Sequence, residues 1–365
     1  MNDTTIDSQL VEMLCCPACR GDLRYDRARA EMSCGPCGFT YPVVEGIPVL
    51  LPTNVKARFH ELFQRWWDSE GCAVTYDRFV EGGQSLMDLH NHIGEVRATL
   101  ETLGQQPRGW LLDCGCGNGR FFEHYPPHVS AVGVDASLNL LLICKKKSRA
   151  TRLVCAELEH LPFKDALFDR VISVRVLQHI HEQARAVAEM ARMVAPGGEV
   201  TLHCYNDLSS KAVVKRIRQS RLGPAVLNAP FRLLFRSMSP FAPWELAYDQ
   251  YNTVPQLRRW LRDAGIRMTK VRGTGFGFNK WLLTGFMVAP WLERHRPELL
   301  RRYLAASLRA EEALGRHWPF NYFMEKFVVQ GAKVPASSPR PVRRTAEAPA
   351  VMANGGAGNR TPVRE

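Results

Sequence analysis

A stretch near the end of the first third of the chain combines an acid with closely spaced glycines. The segment "WLLDCGCGNGRF" (110–121) is apolar up to Asp113, and Gly115, Gly117 and Gly119 follow at alternate positions. Glycine permits a tight turn and lets a ligand approach the backbone closely. The next residues, "RFFEHY", are predicted to begin a helix, whose free N–H groups would face the turn. The spacing therefore predicts a nucleotide-like ligand at this turn.

The positions of the glycines favour one class of ligand over another. In the dinucleotide fingerprint G-x-G-x-x-G, the third glycine stands three residues after the second. Here Gly119 comes one residue early, and Arg120 occupies the place that the fingerprint reserves for glycine. Asp113 also stands at the strand end before the turn. The pattern fits S-adenosylmethionine, whose charged amino-acid end needs polar anchors, better than it fits a nicotinamide cofactor.

Two further acids follow predicted strands. "VSAVGVDAS" (129–137) is predicted to be a strand ending in Asp135, whose carboxylate could accept both ribose hydroxyl protons. "LVCAELEHLPF" (153–163) predicts a third strand followed by Glu157, which could accept from the adenine amino group while the Leu158 N–H meets a ring nitrogen. The predicted donor-binding residues are Asp113, Gly115, Gly117, Gly119, Asp135, Glu157 and Leu158.

Cysteines near the start of the chain are spaced as metal ligands. "CPACRGDLRYDRARAEMSCGPC" (16–37) holds two Cys-x-x-Cys pairs separated by fourteen residues, close to the spacing of a zinc ribbon. About forty residues bury too little apolar surface to fold alone, so a metal would supply stability. Cys15 could substitute for Cys16, but Cys16 keeps the two-residue gap. The alternative is two unrelated pairs of reduced cysteines. The predicted zinc ligands are Cys16, Cys19, Cys34 and Cys37.

The rest of the pattern predicts an α/β fold with a seven-stranded Rossmann-like sheet and a small zinc-ribbon domain. "FDRVISVRVLQHI" (168–180) and "APGGEVTLHCY" (195–205) predict strands four and five, and "IRMTKVR" and "EKFVVQGAK" (325–333) predict strands six and seven. Insertions over 206–254 and 273–325 would form a lid, because long connections are usually functional. The predicted parts are a ribbon domain (1–52), a helical linker (53–107), a catalytic domain (108–333) and a disordered tail (334–365).

Together these segments resemble class I S-adenosylmethionine-dependent methyltransferases, in the broad family called type 11. "DCGCGNG" matches the donor-binding motif, Asp135 the ribose acid, "AELEHLPF" the adenine loop and "APGGEV" the turn before strand five. The resemblance covers residues 108–205. Glu157 departs from the family, which more often has Asp there. The resemblance implies a methyltransferase that uses S-adenosylmethionine.

The N-terminal segment has a second resemblance. "LCCPACRGDLRYD" (14–26) and "MSCGPCGFTYPVVEGIPVLLP" (32–52) look like small zinc-ribbon proteins that activate tRNA and protein methyltransferases. In that family the ribbon is usually a separate partner, so this chain would carry it fused to its client. We expect it to dock on an amphipathic helix, "FHELFQRWW" (59–67).

The insertions carry the clues to the methyl acceptor. The segment from Leu208 to Trp244 is basic without one acid, and the second insertion is aromatic and apolar. These features suit packing within a lid, RNA binding, or an anionic or hydrophobic small molecule, with contact to a membrane surface. His179, His203 and Tyr205 lie near the expected sheet edge, but a histidine there more often packs than catalyses, so no catalytic residue is assigned.

Composition restricts the setting. The chain has 365 residues, a net charge of +12 and eleven cysteines spread through apolar runs, which suit a reducing cytoplasm. The first residues lack the apolar core of a signal peptide, and "WLLTGFMVAPWL" is shorter than the roughly 20 residues that span a bilayer. We expect a cytoplasmic enzyme that methylates a small molecule, with lipid-like and glycan-linked acceptors among the candidates. The alternatives are a tRNA wobble-uridine methyltransferase and a non-enzymatic donor-binding adaptor.

Overall fold

The structure describes most of the chain, in several separate ranges. The computed structural model describes residues 5–51, 73–74, 85–104, 109–147, 152–223, 225–226, 228–229, 250–275 and 289–334. The helix expected over 59–67 and the tail expected over 334–365, apart from Val334, lie outside these ranges. So do residues 230–249 and 276–288 of the two insertions. Within the described ranges, no helix combines the length and the apolar character that crossing a bilayer requires.

A small antiparallel sheet forms the N-terminal part of the molecule. It follows helix α1 (Ser8–Met13), which begins after Asp7, whose carboxylate accepts a hydrogen bond from Leu10 N at 3.1 Å. Such capping satisfies an N–H group that the first helical turn leaves unpaired. The strands pair in chain order: β1 (Leu23–Asp26), β2 (Glu31–Cys34), β3 (Thr40–Val44) and β4 (Ile47–Pro48).

A larger mixed sheet forms the centre of the molecule. Its strands are β5 (Gly109–Cys114), β6 (Val129–Asp135), β7 (Leu153–Cys155), β8 (Phe168–Val174), β9 (Val194–Tyr205), β10 (Ile266–Thr274) and β11 (Lys326–Lys333). The order is β10-β11-β9-β8-β5-β6-β7. The run from β9 to β7 is parallel, and β11 is antiparallel to both of its neighbours. The predicted seven-stranded Rossmann-like fold, with a small second sheet, is confirmed.

The order of the parallel strands fixes where a ligand can bind. β5 lies between β6 and β8, because the chain first adds β6 and β7 on one side of β5 and then returns to place β8 on the other side. Ligands of such sheets bind beyond the carboxyl ends of the strands at this switch point. The middle strands are apolar because both faces are covered: Leu111, Leu112, Val171 and Ile172 are all fully buried.

Helices pack against the large sheet and against one another. The described helices include α2 (Leu86–Leu103), α3 (Leu138–Lys147), α4 (Gln183–Met193), α5 (Ser210–Gln219), α6 (Val254–Asp263), α7 (Ala289–His295), α8 (Pro297–Leu314) and α9 (Phe320–Phe323). Helix α6 starts with a capping box in which Thr253 and Gln256 bond reciprocally to each other's backbone N–H. Helix α4 presents Ala186, Val187 and Met190 to the apolar core.

The small sheet is joined to the β7 edge of the large sheet by backbone hydrogen bonds. Leu50 N donates to Cys155 O at 2.7 Å, next to a parallel bridge between Val49 and Cys155. Cys15 N donates to Pro162 O at 2.9 Å. The small sheet therefore extends the large one and holds the loop that follows β7. Docking on the helix over 59–67 falls outside the described residues.

Apolar packing reinforces this junction. Leu14 is 1% exposed and belongs to the same buried cluster as Leu158 and Phe163 of the loop after β7. An ion pair also links the two parts, because Arg20 Nη2 lies 2.7 Å from Glu189 Oε1 on α4. The N-terminal part and the large sheet thus share one core.

One buried carboxylate connects four parts of the fold. Glu95 on α2 is 2% exposed. Its Oε2 lies 3.2 Å from Arg120 Nη1 and 3.3 Å from Arg175 Nε, and its Oε1 accepts a hydrogen bond from Lys326 Nζ at 2.7 Å. Arg120 follows the glycine turn, Arg175 follows β8, and Lys326 begins β11. Burial alone would raise the pKa of Glu95, but the charges of Arg175, Lys326 and Arg120 hold it well below its ordinary value.

Replacing Glu95 should destabilise the fold strongly. Glu95→Ala leaves three neighbouring cations without their shared carboxylate, and breaking a buried pair in this way costs about 3–5 kcal/mol. Glu312→Ala is the matched control: Glu312 is half-exposed, and its pair with Arg97 at 3.2 Å should contribute under about 1 kcal/mol. Urea denaturation at neutral pH measures both.

The pH dependence has a definite sign. Because the pKa of Glu95 is lower in the folded state, its contribution is present above the ordinary value of 4.5 and is lost as the pH falls below it. Equal losses of unfolding free energy in the Glu95 and Glu312 variants would contradict the assigned role.

Candidate functional site

The glycine turn after β5 has the backbone conformation that its sequence predicts. Gly115, Gly117 and Gly119 have φ values of 79°, 54° and 79°, in the region that residues other than glycine rarely adopt. A Cβ on Gly115 would lie 2.3 Å from Val176 Cγ2. The turn therefore closes tightly against the segment that follows β8.

Asp135, the acid predicted to bind ribose, lies directly against this turn. Its Oδ2 accepts a hydrogen bond from Gly117 N at 2.8 Å, and its Oδ1 accepts one from Ser137 N at 2.9 Å. The carboxylate at the end of β6 is thus held beside the turn after β5. The structure brings these two predicted elements together.

Asp113 lies deeper than the other acid. It is 2% exposed, and its Oδ2 accepts a hydrogen bond from Tyr125 Oη at 2.8 Å. Burial raises the pKa of Asp113 to about 7, although the bond from Tyr125 opposes that rise. Tyr125 was not among the predicted site residues, and its place in "RFFEHY", directly after the turn, was the available signal.

Glu157 and Leu158 lie at the end of the neighbouring strand. Ala156 N donates to Asp135 O at 3.0 Å, so the residues that follow β7 adjoin the end of β6. Glu157 is buried, with its Oε2 3.6 Å from His160 Nδ1, and Leu158 begins a short 3₁₀ turn. The seven predicted donor-binding residues therefore gather at the carboxyl ends of β5, β6 and β7. Glycines at alternate positions of the turn and acids on the two next strands fit an adenosyl group.

The histidines considered as bases are enclosed. His203 is 1% exposed, with its Nδ1 3.3 Å from Thr99 Oγ1 and its Nε2 3.2 Å from Thr274 Oγ1. Burial lowers the pKa of His203 to about 3 and that of His179 to about 4. The geometry of His203 is that of a packed core residue, as its sequence context favoured.

Tyr205 belongs to a group that the sequence did not reveal. Its ring stacks on that of Tyr251, with 5.1 Å between the centroids, and its hydroxyl lies 3.5 Å from Arg175 Nη1. Lys211 Nζ lies 3.8 Å from the centroid of the Tyr205 ring, and Lys215 Nζ lies 4.1 Å from that of Tyr251. These five residues are called the tyrosine–lysine cluster below. Each sits in a different local pattern, so only the fold assembles them.

The four predicted zinc ligands converge at one point. Their sulfur atoms all lie within 4.8 Å of one another, with 3.6 Å between Cys16 and Cys37 and 3.4 Å between Cys19 and Cys34. Four sulfurs at about 2.3 Å from a tetrahedral zinc ion would lie about 3.8 Å apart. The cluster therefore suits a four-thiolate metal site. Cys15 is outside it, and its backbone N–H is bonded to Pro162.

Comparison with known families assigns two parts of the chain. The family model described as "Methyltransferase domain" matches residues 112–202, and the one described as "Trm112p-like protein" matches residues 7–46. The first covers the glycine turn and strands β6 to β8 with most of β9. The second covers the four cysteines.

Similar proteins align with the central part of the chain. An uncharacterized protein of Methanocaldococcus jannaschii is 38% identical over 112 residues, covering 31% of this chain and 48% of the relative. A tRNA (carboxymethyluridine(34)-5-O)-methyltransferase of Arabidopsis thaliana is 36% identical over 112 residues, covering 30% and 26%. This chain therefore spans about half of the first relative and about a quarter of the second.

One solved structure aligns with more than half of this chain. It is a complex between the Haloferax volcanii Trm112 methyltransferase activator and the putative methyltransferase. It is 14% identical, covers 69% of this chain and 95% of the matched chain, and has a TM-score of 0.41.

The metal content of cysteine variants should separate the four ligands from their neighbour. The wild type should bind one zinc ion per chain. The double variant Cys34→Ser/Cys37→Ser removes half of the thiolates of a closed site, so it should lose the metal. Cys15→Ser should keep it, because that thiol lies outside the cluster. Elemental analysis of the purified proteins decides, and equal metal content in all three would refute the ribbon.

Proposed function

We propose that this chain, which carries a methyltransferase domain behind a Trm112p-like domain, transfers methyl groups from S-adenosylmethionine to a small molecule. When bound, S-adenosylmethionine supplies an electrophilic methyl group on a sulfonium. In-line positioning of the acceptor then provides much of the rate. The task of the protein is to hold donor and acceptor at adjoining places on one sheet edge and to exclude water.

The donor would bind across the ends of β5, β6 and β7. Asp135 would accept from the ribose hydroxyls, and Glu157 from the adenine amino group, with the Leu158 N–H meeting a ring nitrogen. The turn with Gly115, Gly117 and Gly119 would take the methionine end, since a glycine lets a ligand approach the backbone closely. The hydrogen bonds that already hold Asp135 against Gly117 and Ser137 support this assignment, because they fix its carboxylate before a ligand arrives.

The direction in which helix α5 turns its basic side chains supports a small acceptor. Lys211, Lys215 and Arg218 are 8%, 7% and 8% exposed, so they face inward. Arg216, on the outer side, is paired with Asp207. Phosphate groups of a polynucleotide bind Lys and Arg displayed on a surface. A basic face that turns toward the strand ends instead suits a ligand small enough to enter.

A polynucleotide acceptor is the second candidate. It is favoured by the Arabidopsis relative, whose name gives a tRNA carboxymethyluridine as its substrate, and by the match to the Trm112p-like family. The target base would have to turn out of the RNA stack, still attached to its ribose, and reach the site at the strand ends.

The zinc site would be structural. A four-thiolate site leaves no open coordination position for a substrate, and methyl transfer from a sulfonium needs no Lewis acid. Cys15 stands directly before the proposed ligand Cys16, and its N–H donates to the carbonyl oxygen of Pro162 in the loop after β7. The metal would thereby stabilise the loop that carries Glu157 and Leu158.

Transfer of label from S-adenosylmethionine tests the choice between the two acceptors. The protein is incubated with donor carrying a tritiated methyl group and with two fractions of a cell extract, the small molecules and the purified tRNA. Label should appear in the small-molecule fraction. Asp135→Ala, which removes a proposed donor contact, should lower this labelling strongly. Label found only in the tRNA would overturn the small-molecule proposal in favour of the second candidate.

A further inference from the structure

We infer that the tyrosine–lysine cluster binds an anionic oxygen group, a carboxylate or a phosphate, of the methyl acceptor. The inference rests on the proposed function for the identity of the donor. The cluster itself is defined by Arg175, Tyr205, Lys211, Lys215 and Tyr251, none of which belongs to the predicted donor-binding set.

The cluster lies beside the proposed donor site. Arg175 directly follows β8, and Tyr205 is the last residue of β9. Both strands lie on the far side of β5 from the ribose acid. Val176, next to Arg175, packs on Gly115 of the glycine turn. A group bound between Arg175 and Tyr205 is therefore next to the turn and beyond the carboxyl ends of the strands, where ligands of this fold bind.

The two lysines approach the two tyrosine rings from the same helix. Lys211 and Lys215 are four residues apart on α5, so they lie on one face of the helix. Each ammonium group lies over a tyrosine ring, that of Lys211 over Tyr205 and that of Lys215 over Tyr251. Both side chains are buried. An anion bound here would interact with both ammonium groups in a poorly solvated setting, where such contacts are stronger than in water.

The potential at the Tyr205 hydroxyl is positive. Burial would raise the pKa of Tyr205, but the charges of Lys211, Arg175 and Lys326 outweigh it and lower the pKa below the ordinary 10.0, although Glu95 opposes them. Carboxylates also contact these cations: Glu95 lies against Arg175 and Lys326, and Glu325 lies 3.5 Å from Lys211. The field that favours a phenolate is the same field that would attract an anion.

The donors suit an oxyanion with several acceptor atoms. A guanidinium binds a carboxylate or phosphate through two parallel N–H groups, and Glu95 at 3.3 Å from Nε fixes the orientation of Arg175. The Tyr205 hydroxyl lies 3.5 Å from Nη1 of that guanidinium and can donate to the same anion. The two ammonium groups add point charges from the α5 side.

Titration of the full-length protein with simple anions tests this inference. Binding of S-adenosylhomocysteine is measured first by calorimetry, because it tests the proposed function by itself. Malonate and inorganic phosphate are then added separately, with sodium chloride at matched ionic strength as the blank. At least one of them should bind saturably and raise the pKa of Tyr205, followed by phenolate absorbance. Tyr205→Phe should remove that titration. Response to malonate alone indicates a carboxylate, and response to phosphate alone a phosphate ester.

Variants on the two faces of α5 provide the matched comparison. Lys211→Gln and Lys215→Gln should each weaken anion binding about tenfold or more, as loss of a charge-assisted contact predicts. Lys211→Arg should retain it. Arg216→Gln, on the outer face of the same helix, should leave it unchanged.

Three results would overturn the inference: no saturable anion binding, an effect that chloride reproduces, or equal loss in Arg216→Gln. If the anions fail to bind while S-adenosylhomocysteine binds, this inference fails alone. If anions bind and S-adenosylhomocysteine does not, the proposed function fails and the cluster remains an anion site.

Discussion

The buried carboxylate of Glu95 is the interaction on which the arrangement of the sheet edge depends. Arg120, Arg175 and Lys326 would repel one another at these distances, and a single carboxylate between them permits their approach. Arg120 continues the glycine turn, whereas Arg175 belongs to the tyrosine–lysine cluster. One side chain on α2 therefore fixes the distance between the proposed donor and acceptor sites. Because the carboxylate and the three cations attract one another strongly in a poorly solvated setting, these four side chains hold the adjoining segments in place.

The N-terminal part acts on the same edge from the other side. Its contacts with the large sheet are mostly backbone hydrogen bonds, at Cys15 and Leu50, and these bonds hold β7 and the loop after it. That loop carries Glu157 and Leu158. A folded four-cysteine ribbon is thus a condition for an ordered adenine-binding loop in this account.

The features that the sequence predicted are those encoded by local spacing. The glycine turn, Asp135 and the cysteine pairs each follow from neighbouring residues, and the strands follow from apolar runs. Glu95 and Tyr251 were missed because their partners are distant in sequence and leave no periodic signal. The basic segment was recognised, but its inward orientation depends on how α5 packs. The docking of the ribbon on the β7 edge was missed because backbone hydrogen bonding leaves little trace in side-chain pattern.

The donor site is the central claim, and calorimetric titration with S-adenosylmethionine tests it most directly. The wild type should bind it, and Asp135→Ala should weaken binding by about 1.5–3 kcal/mol through loss of charge-assisted hydrogen bonds. Asp263→Ala, which removes an exposed carboxylate paired with Arg262, should bind as the wild type does. A wild-type protein that binds NADH and no sulfonium ligand would contradict the account.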